Sequence, residues 1–229
     1  MGTIAENLAR IQERIQNRAL KVGRKPEDIT LVAVSKTVEI SRIKEAIDAG
    51  VTTLGENYVQ EAREKISQLG QEVSWHMIGH LQTNKVKYVV PQFSMIQSVD
   101  SLRLAQEISK RALKLGKSID VLIQVNISGE ETKSGVNPEE LLPLLEKIAP
   151  LKGIKVKGLM TMPPFFSDPE RARPYFRKLW QLREKTLPSL PDSISLTHLS
   201  MGMSGDFEVA IEEGATMVRI GTAIFGERK

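Results

Sequence analysis

The 229-residue chain contains no cysteine. That absence excludes disulfides, thiolate catalysis and cysteine-ligated metals together, and it fits a reducing compartment. Long apolar runs are missing too, since no stretch approaches the roughly 18 residues a membrane span needs. The N-terminus has Glu6 and Glu13 among its basic residues and no apolar segment of the signal-peptide kind. A cytoplasmic protein without membrane contact is expected. Charge of a single sign is also absent. The 32 Lys and Arg stand against 28 Asp and Glu, for a net charge of only +4. The two signs interleave, as in Glu61, Arg63, Glu64 and Lys65, or Arg177, Lys178, Arg183, Glu184 and Lys185. Such mixing reads as solvated helix faces, not as a nucleic-acid footprint.

What is present is periodic. Ile4, Leu8, Ile11, Ile15 and Ala19 recur at spacings of three and four, one apolar stripe of a helix over 3–22. Thr3 and Glu6 have the spacing of a capping box, and Gly23 and Pro26 end the helix. One unit then repeats. Strands are expected at 31–34, 51–54, 74–78, 93–98, 119–125, 154–159, 194–199 and 217–220. Helices are expected between them at 40–49, 57–68, 81–90, 101–115, 138–149, 168–186 and 206–213. Such alternation predicts a parallel sheet. At this length it predicts a closed (β/α)₈ TIM barrel of the α/β class, with helix 3–22 as an addition. No linker or low-complexity stretch divides the chain, so residues 1–229 read as one domain.

In such a barrel the loops after the strands build the site. Lys36 ends the apolar run that starts at Leu31. An amine there can lose part of its charge to desolvation and attack a carbonyl to form a Schiff base. The alternative is a lysine that opens a solvated loop. Past the other strands come Glu56 and Asn57, His80, Ser98 and Asp100, Gln124 and Asn126, Met160 and Thr161, Ser200, then Arg219, Gly221 and Thr222. Residues 197–206 and 219–222 are rich in Gly, Ser and Thr and follow strands seven and eight, where barrel enzymes often hold a phosphate. The alternative is two glycine-containing turns, with Ser204 or Asp206 as a helix N-cap. A Schiff-base lysine facing a phosphate site is what pyridoxal 5′-phosphate (PLP) requires. Arg219 is the candidate for the ring nitrogen; it cannot accept a proton there, so the ring stays a weak electron sink. Its alternative is a structural arginine paired with a barrel carboxylate.

Five motifs carry a resemblance: A-V-S-K-T at 33–37, G-E-N-Y-V-Q-E at 55–61, H-M-I-G-H-L-Q-T-N-K at 76–85, L-S-M-G-M-S-G-D at 199–206 and R-I-G-T-A-I-F-G at 219–226. In this order, and across essentially the whole chain, they resemble the pyridoxal phosphate homeostasis proteins of the YggS/PROSC type. The resemblance implies a fold-type III barrel like the N-terminal domain of alanine racemase, with PLP on Lys36. It implies Arg219 at the ring nitrogen, Ser200, Gly221 and Thr222 at the phosphate, and Asn57 and His80 lining the pocket. Met160 and Gly202 complete the expected cofactor-binding set. Segment 160–168 resembles the family's strand-six loop.

The implied function is a non-enzymatic carrier and buffer of PLP in vitamin B6 homeostasis, a monomer with PLP-dependent apo-enzymes as candidate recipients. One alternative is a weak amino-acid racemase or other PLP enzyme. Alanine racemase adds a C-terminal β-domain bearing a catalytic tyrosine, whereas the tyrosines here are Tyr58, Tyr88 and Tyr175, all before strand eight. Two-base racemisation would then need Tyr58 or His80 to oppose Lys36. A third reading is a PLP-independent Schiff-base aldolase acting on a sugar phosphate.

Overall fold

The computed structural model describes residues 2–130 and 132–227. Its first helix, α1 (Ile4–Lys21), starts on a reciprocal cap. The Thr3 hydroxyl accepts the Glu6 amide and the Glu6 carboxylate accepts the Thr3 amide, which pairs two N–H groups that a helix start leaves open. The stripe read from the sequence is the buried face of α1.

After α1, eight parallel strands among the described residues close into a barrel in chain order. They are β1 (Thr30–Val34), β2 (Thr53–Glu56), β3 (Ser74–Met77), β4 (Met95–Val99), β5 (Ile119–Gln124), β6 (Ile154–Met160), β7 (His198–Ser200) and β8 (Met217–Ile220). The helices between them are α2 (Ile40–Asp48), α3 (Val59–Leu69), α4 (Val86–Val89), α5 (Leu102–Lys114), α6 (Leu141–Ile148), α7 (Arg173–Thr186) and α8 (Phe207–Glu212); α9 (Thr222–Phe225) follows β8. Short apolar strands buried on both faces need packing partners inside and outside. Met95, Leu122, Met160 and Met217 come from β4, β5, β6 and β8 and form a cluster of their own. Strands β4 and β8 stand on opposite sides of the closed barrel, so the four side chains meet across its interior and plug it. No helix among the described residues is long and apolar enough to cross a membrane.

Several boundaries move, each for a backbone reason. The Val51 amide bonds Ala46 O at 3.0 Å, so the chain is still tied to the end of α2 where a strand is expected at 51–54. Strand β2 therefore runs two residues later and takes in Glu56. The Phe93 amide likewise bonds Val89 O, which delays β4 to Met95. The helix expected at 81–90 splits into a 3₁₀ turn, Thr83–Lys85, and the short α4. Val86, Val89 and Val90 are poor helix formers and Pro91 ends the run. The strand expected at 194–199 is only β7, because the Ile194 amide turns back to Pro191 O at 2.9 Å and the ladder with β6 begins only at Gly158 and His198.

Closure of the barrel decides where the site lies. Strand β8 pairs with β1 in the register Thr30–Met217, Val32–Arg219 and Ala33–Ile220. The first and last strands are therefore neighbours. Lys36, two residues past β1, comes to stand beside Gly221 and Thr222, just past β8.

Candidate functional site

Strand β1 delivers the chain into a tight turn, Ser35 to Val38, closed by a 3.0 Å bond from the Val38 amide to the Ser35 carbonyl. Lys36 is its second residue. Thr37, the third, has φ of 60°. Left-handed backbone is costly for a β-branched residue, by about 1–3 kcal/mol. Beneath the turn lies a charged cluster. Lys65 of α3, only 4% exposed, donates to the Ser35 carbonyl, to Glu56 Oε1 at 2.8 Å and to Glu61 Oε1 at 2.6 Å. Glu61 Oε1 also accepts the Thr37 amide, and Glu56 Oε1 accepts the Ser35 hydroxyl at 2.6 Å. Burial pushes the Glu56 carboxyl above its usual range, against the pull of the Lys65 charge. The interleaved charges at 61–65, read from the sequence as a solvated face, are thus partly interior: α3 turns Lys65 inward onto the end of β2.

Arg219 reaches the same region from β8 and is 3% exposed. Its Nη1 donates to Ser200 Oγ at 2.7 Å and its Nη2 to the Thr161 carbonyl at 2.9 Å. No carboxylate forms an ion pair with it among the described residues. With its oxygen occupied by Arg219, the Ser200 hydroxyl donates to Gln97 Oε1 at 2.6 Å. The Gln97 amide nitrogen then faces His76 Nδ1 at 2.9 Å, which requires that nitrogen to be an unprotonated acceptor. Burial agrees, pulling His76 down to about 4, with His198 adding to the effect. Burial also lowers Arg219 to about 10, while Asp206 pulls it the other way, so it remains a cation at neutral pH.

Lys36 and Arg219 share a cavity of about 260 Å³ at the C-terminal ends of the strands. Asn57, Ser204, Gly205, Gly221 and Thr222 line it with them. A larger cleft of about 420 Å³ lies across Val34 and Gly221, but neither Lys36 nor Arg219 borders it. Chemistry, not size, marks the smaller one.

Residues 3–229 match the family described as alanine racemase, N-terminal domain. A pyridoxal phosphate homeostasis protein of Aquifex aeolicus is 51% identical over 98% of both chains. One from Escherichia coli is 43% identical over the whole of this chain and 98% of its own length. The chain belongs to this family. Among solved structures, PipY of Synechococcus elongatus with PLP bound superposes with a TM-score of 0.86 at 34% identity, over 97% of this chain and all of that one.

The residues expected to bind the cofactor do not all reach one cavity. Lys36, Asn57, Arg219, Gly221 and Thr222 come together on its wall. Ser200 lies deeper, wholly buried, with its hydroxyl committed to Arg219 and Gln97. Met160 is part of the barrel plug below. Gly202 shapes the loop from behind: its φ is +90°, and a Cβ there would stand 2.5 Å from Ala210 Cβ. His80 is on the rim, its side chain 56% exposed and 3.7 Å from Asp100, and borders a separate cleft of about 200 Å³ that also touches Asn57.

The sequence offers Ser204 only as a helix N-cap and gives Gly205 no role, yet both line the cavity in the loop already singled out. Ser204 Oγ accepts the Ala223 amide at 3.3 Å and so ties the loop after β7 to the start of α9. It also left Met162, Phe165 and Phe166 without a role; they form the apolar side of the mouth. The run of apolar residues after β6, interrupted by two prolines, was the available signal.

Proposed function

We propose that this cavity holds PLP, with the Lys36 amine as the point of covalent attachment, and that the protein acts in PLP homeostasis by holding and exchanging the cofactor. The carrying observation is that Lys36 and Arg219, from the two strands that close the barrel, face one small cavity beside two Gly/Ser/Thr loops. The residues fit the group. A volume of about 260 Å³ lies just under the roughly 300–1,000 Å³ of ordinary ligand pockets, which suits one substituted ring rather than a dinucleotide. Asn57 Oδ1 is buried without a donor among the described residues, as buried polar atoms seldom are unless a ligand or water completes them. Gly205 has open space where a Cβ would stand. The PLP-bound Synechococcus relative supports the same reading.

When bound, PLP supplies an aldehyde that condenses reversibly with amines and a ring that withdraws electrons. Lys36 provides the amine. Ser204, Gly205, Gly221 and Thr222 are assigned to the phosphate through hydroxyl and backbone N–H groups. Arg219 is assigned to the ring nitrogen, where a fixed cation that donates but has no lone pair to accept an N–H keeps the ring unprotonated and weakly withdrawing. That choice favours storage over turnover, and PLP-dependent apo-enzymes are the recipients such a carrier would serve.

Incubation with PLP, borohydride reduction and peptide mapping should place the pyridoxyl group on Lys36. A label elsewhere, retained in Lys36→Ala, would overturn the attachment. Solvent deuterium should enter the α-carbon of added amino acids far more slowly than the roughly 1–1,000 per second of ordinary enzymes. Racemisation inside that range would restore the enzyme reading.

A further inference from the structure

A tight turn whose third residue has positive φ is normally served by glycine or asparagine. Here that residue is Thr37, so the surroundings must impose the conformation. What surrounds it is the charged cluster. Glu61 and Lys65 are four apart on α3 and share one face. Glu56 ends β2, which pairs with β1 through Val34 and Gly55. Three charged groups from two elements therefore converge under one turn. The Lys65 ammonium has three N–H groups, and its three bonds to the Ser35 carbonyl, Glu56 and Glu61 use all of them. Glu61 is thereby held where it accepts the Thr37 amide. The residues on either side of Lys36 are both gripped: Ser35 by carbonyl, amide and hydroxyl, Thr37 by its amide.

Such a cluster is a poor way to gain stability alone. Glu56 Oε2 is buried without a partner, and buried ion pairs are often replaceable by apolar residues at no loss. Its geometry has a clearer use.

We infer that Glu61 and Lys65 are positioning residues for Lys36: they hold the Ser35–Val38 turn left-handed at Thr37 and so fix the backbone from which the amine enters the cavity. The inference rests on the reading that Lys36 is the reacting amine. It also says why glycine is not needed at 37, because the bond from the Thr37 amide to Glu61 does what intrinsic preference would otherwise do.

The test pairs two readouts. In the unloaded protein, amide hydrogen exchange at Thr37 should quicken about tenfold or more in Glu61→Ala, as expected when a local opening becomes easier. In the same variant the rate of covalent PLP attachment should fall about tenfold, the population change that released backbone strain of this size gives. Glu61→Gln, which keeps an acceptor oxygen, should lose less. Adding Thr37→Gly to Glu61→Ala should restore most of the attachment rate, because glycine takes positive φ unaided, while leaving any loss of melting temperature in place. A merely structural Glu61 would show the melting loss without the rescue. Attachment at the wild-type rate in Glu61→Ala, or a double variant no faster than the single, would overturn the inference. If the wild-type chain takes up no PLP on Lys36, the functional reading fails on its own, and wild-type exchange at Thr37 in Glu61→Ala would still sink the brace.

Discussion

Lys36 and Arg219 reach the same cavity from adjacent strands, yet the groups behind them share no chemistry. Behind Lys36 is an ionic cluster, Glu56, Lys65 and Glu61, which grips the backbone on both sides of the residue. Behind Arg219 is a neutral series, Ser200, Gln97 and His76, which grips the head of the side chain itself. The difference follows from the tasks proposed for the two residues. A reacting amine has to be presented from a fixed stretch of backbone. An arginine that tunes a ring needs a fixed head and no proton exchange. Neutral dipoles hold such a head, and the Asp206 carboxylate that acts on Arg219 through space forms no ion pair with it among the described residues, accepting the Met203 amide instead.

The comparison breaks most visibly at Lys65. In Lys65→Met two carboxylates meet under the turn with no cation between them. Removing one partner of a buried charged cluster costs about 3–5 kcal/mol, read as a lower urea midpoint. Glu56→Gln combined with Lys65→Met should recover part of that loss. A cost under about 1 kcal/mol, the range of surface pairs, would mean that the cluster is no brace.

Acid sharpens the contrast, because the two sides respond with opposite sign. His76 is lowered from 6.5 to about 4. Above 6.5 the ring is neutral in both folded and unfolded chains. Between there and about 4 the unfolded chain binds a proton that the folded one refuses, so this contribution to stability falls as pH falls. The full loss is about 3 kcal/mol at most. Glu56 is raised instead, so its contribution is present at low pH and is lost as pH rises through its folded value. Comparing wild type with His76→Gln between pH 7 and pH 4 isolates the histidine. An identical acid slope in both proteins would rule out a neutral His76 at the end of the series.

Ser200 and Ser204 divide the two roles in one loop. Ser200→Ala leaves Arg219 buried with one acceptor fewer and should cost about 1.5–3 kcal/mol of stability, the value of a hydrogen bond to a charged group. Ser204→Ala, at the cavity wall, gives up only the long bond from the Ala223 amide and should cost no more than about 1 kcal/mol of stability, while PLP binding weakens by about tenfold, as for one lost bond of about 1–1.5 kcal/mol. The reverse pattern would return Ser200 to the phosphate.

How much of this could be read in advance depends on whether the signal is local. The capping box at Thr3 and Glu6, the strand order and the place of Lys36 at a strand end follow from periodicity and stops along the chain. The shift that puts Glu56 inside β2 comes from the backbone bond between Val51 and Ala46, which no side-chain pattern reports. Glu61 and Lys65 have the same four-residue spacing on a solvated helix as on a buried one, so the inward turn of Lys65 left no mark. The sequence places Ser200 just beyond its strand, whereas it is the last residue of β7, paired with Met217, and its side chain enters the barrel. Ser204, in the loop proper, was left with the cavity.

The smallest expected effect is also the most exacting. Thr37→Gly alone relieves the cost of holding a β-branched residue at φ of 60°. The same change gives the unfolded chain more freedom to lose, by roughly 0.5–1 kcal/mol. The two partly cancel, so stability should stay within about 2 kcal/mol of wild type. The Glu61 bond to the residue-37 amide does not depend on the side chain and should persist. With Glu61 intact, the attachment rate at Lys36 should therefore hardly change. A large fall would mean that the threonine side chain itself positions the amine, and the brace would then have to be sought in Thr37 rather than in the charges beneath it.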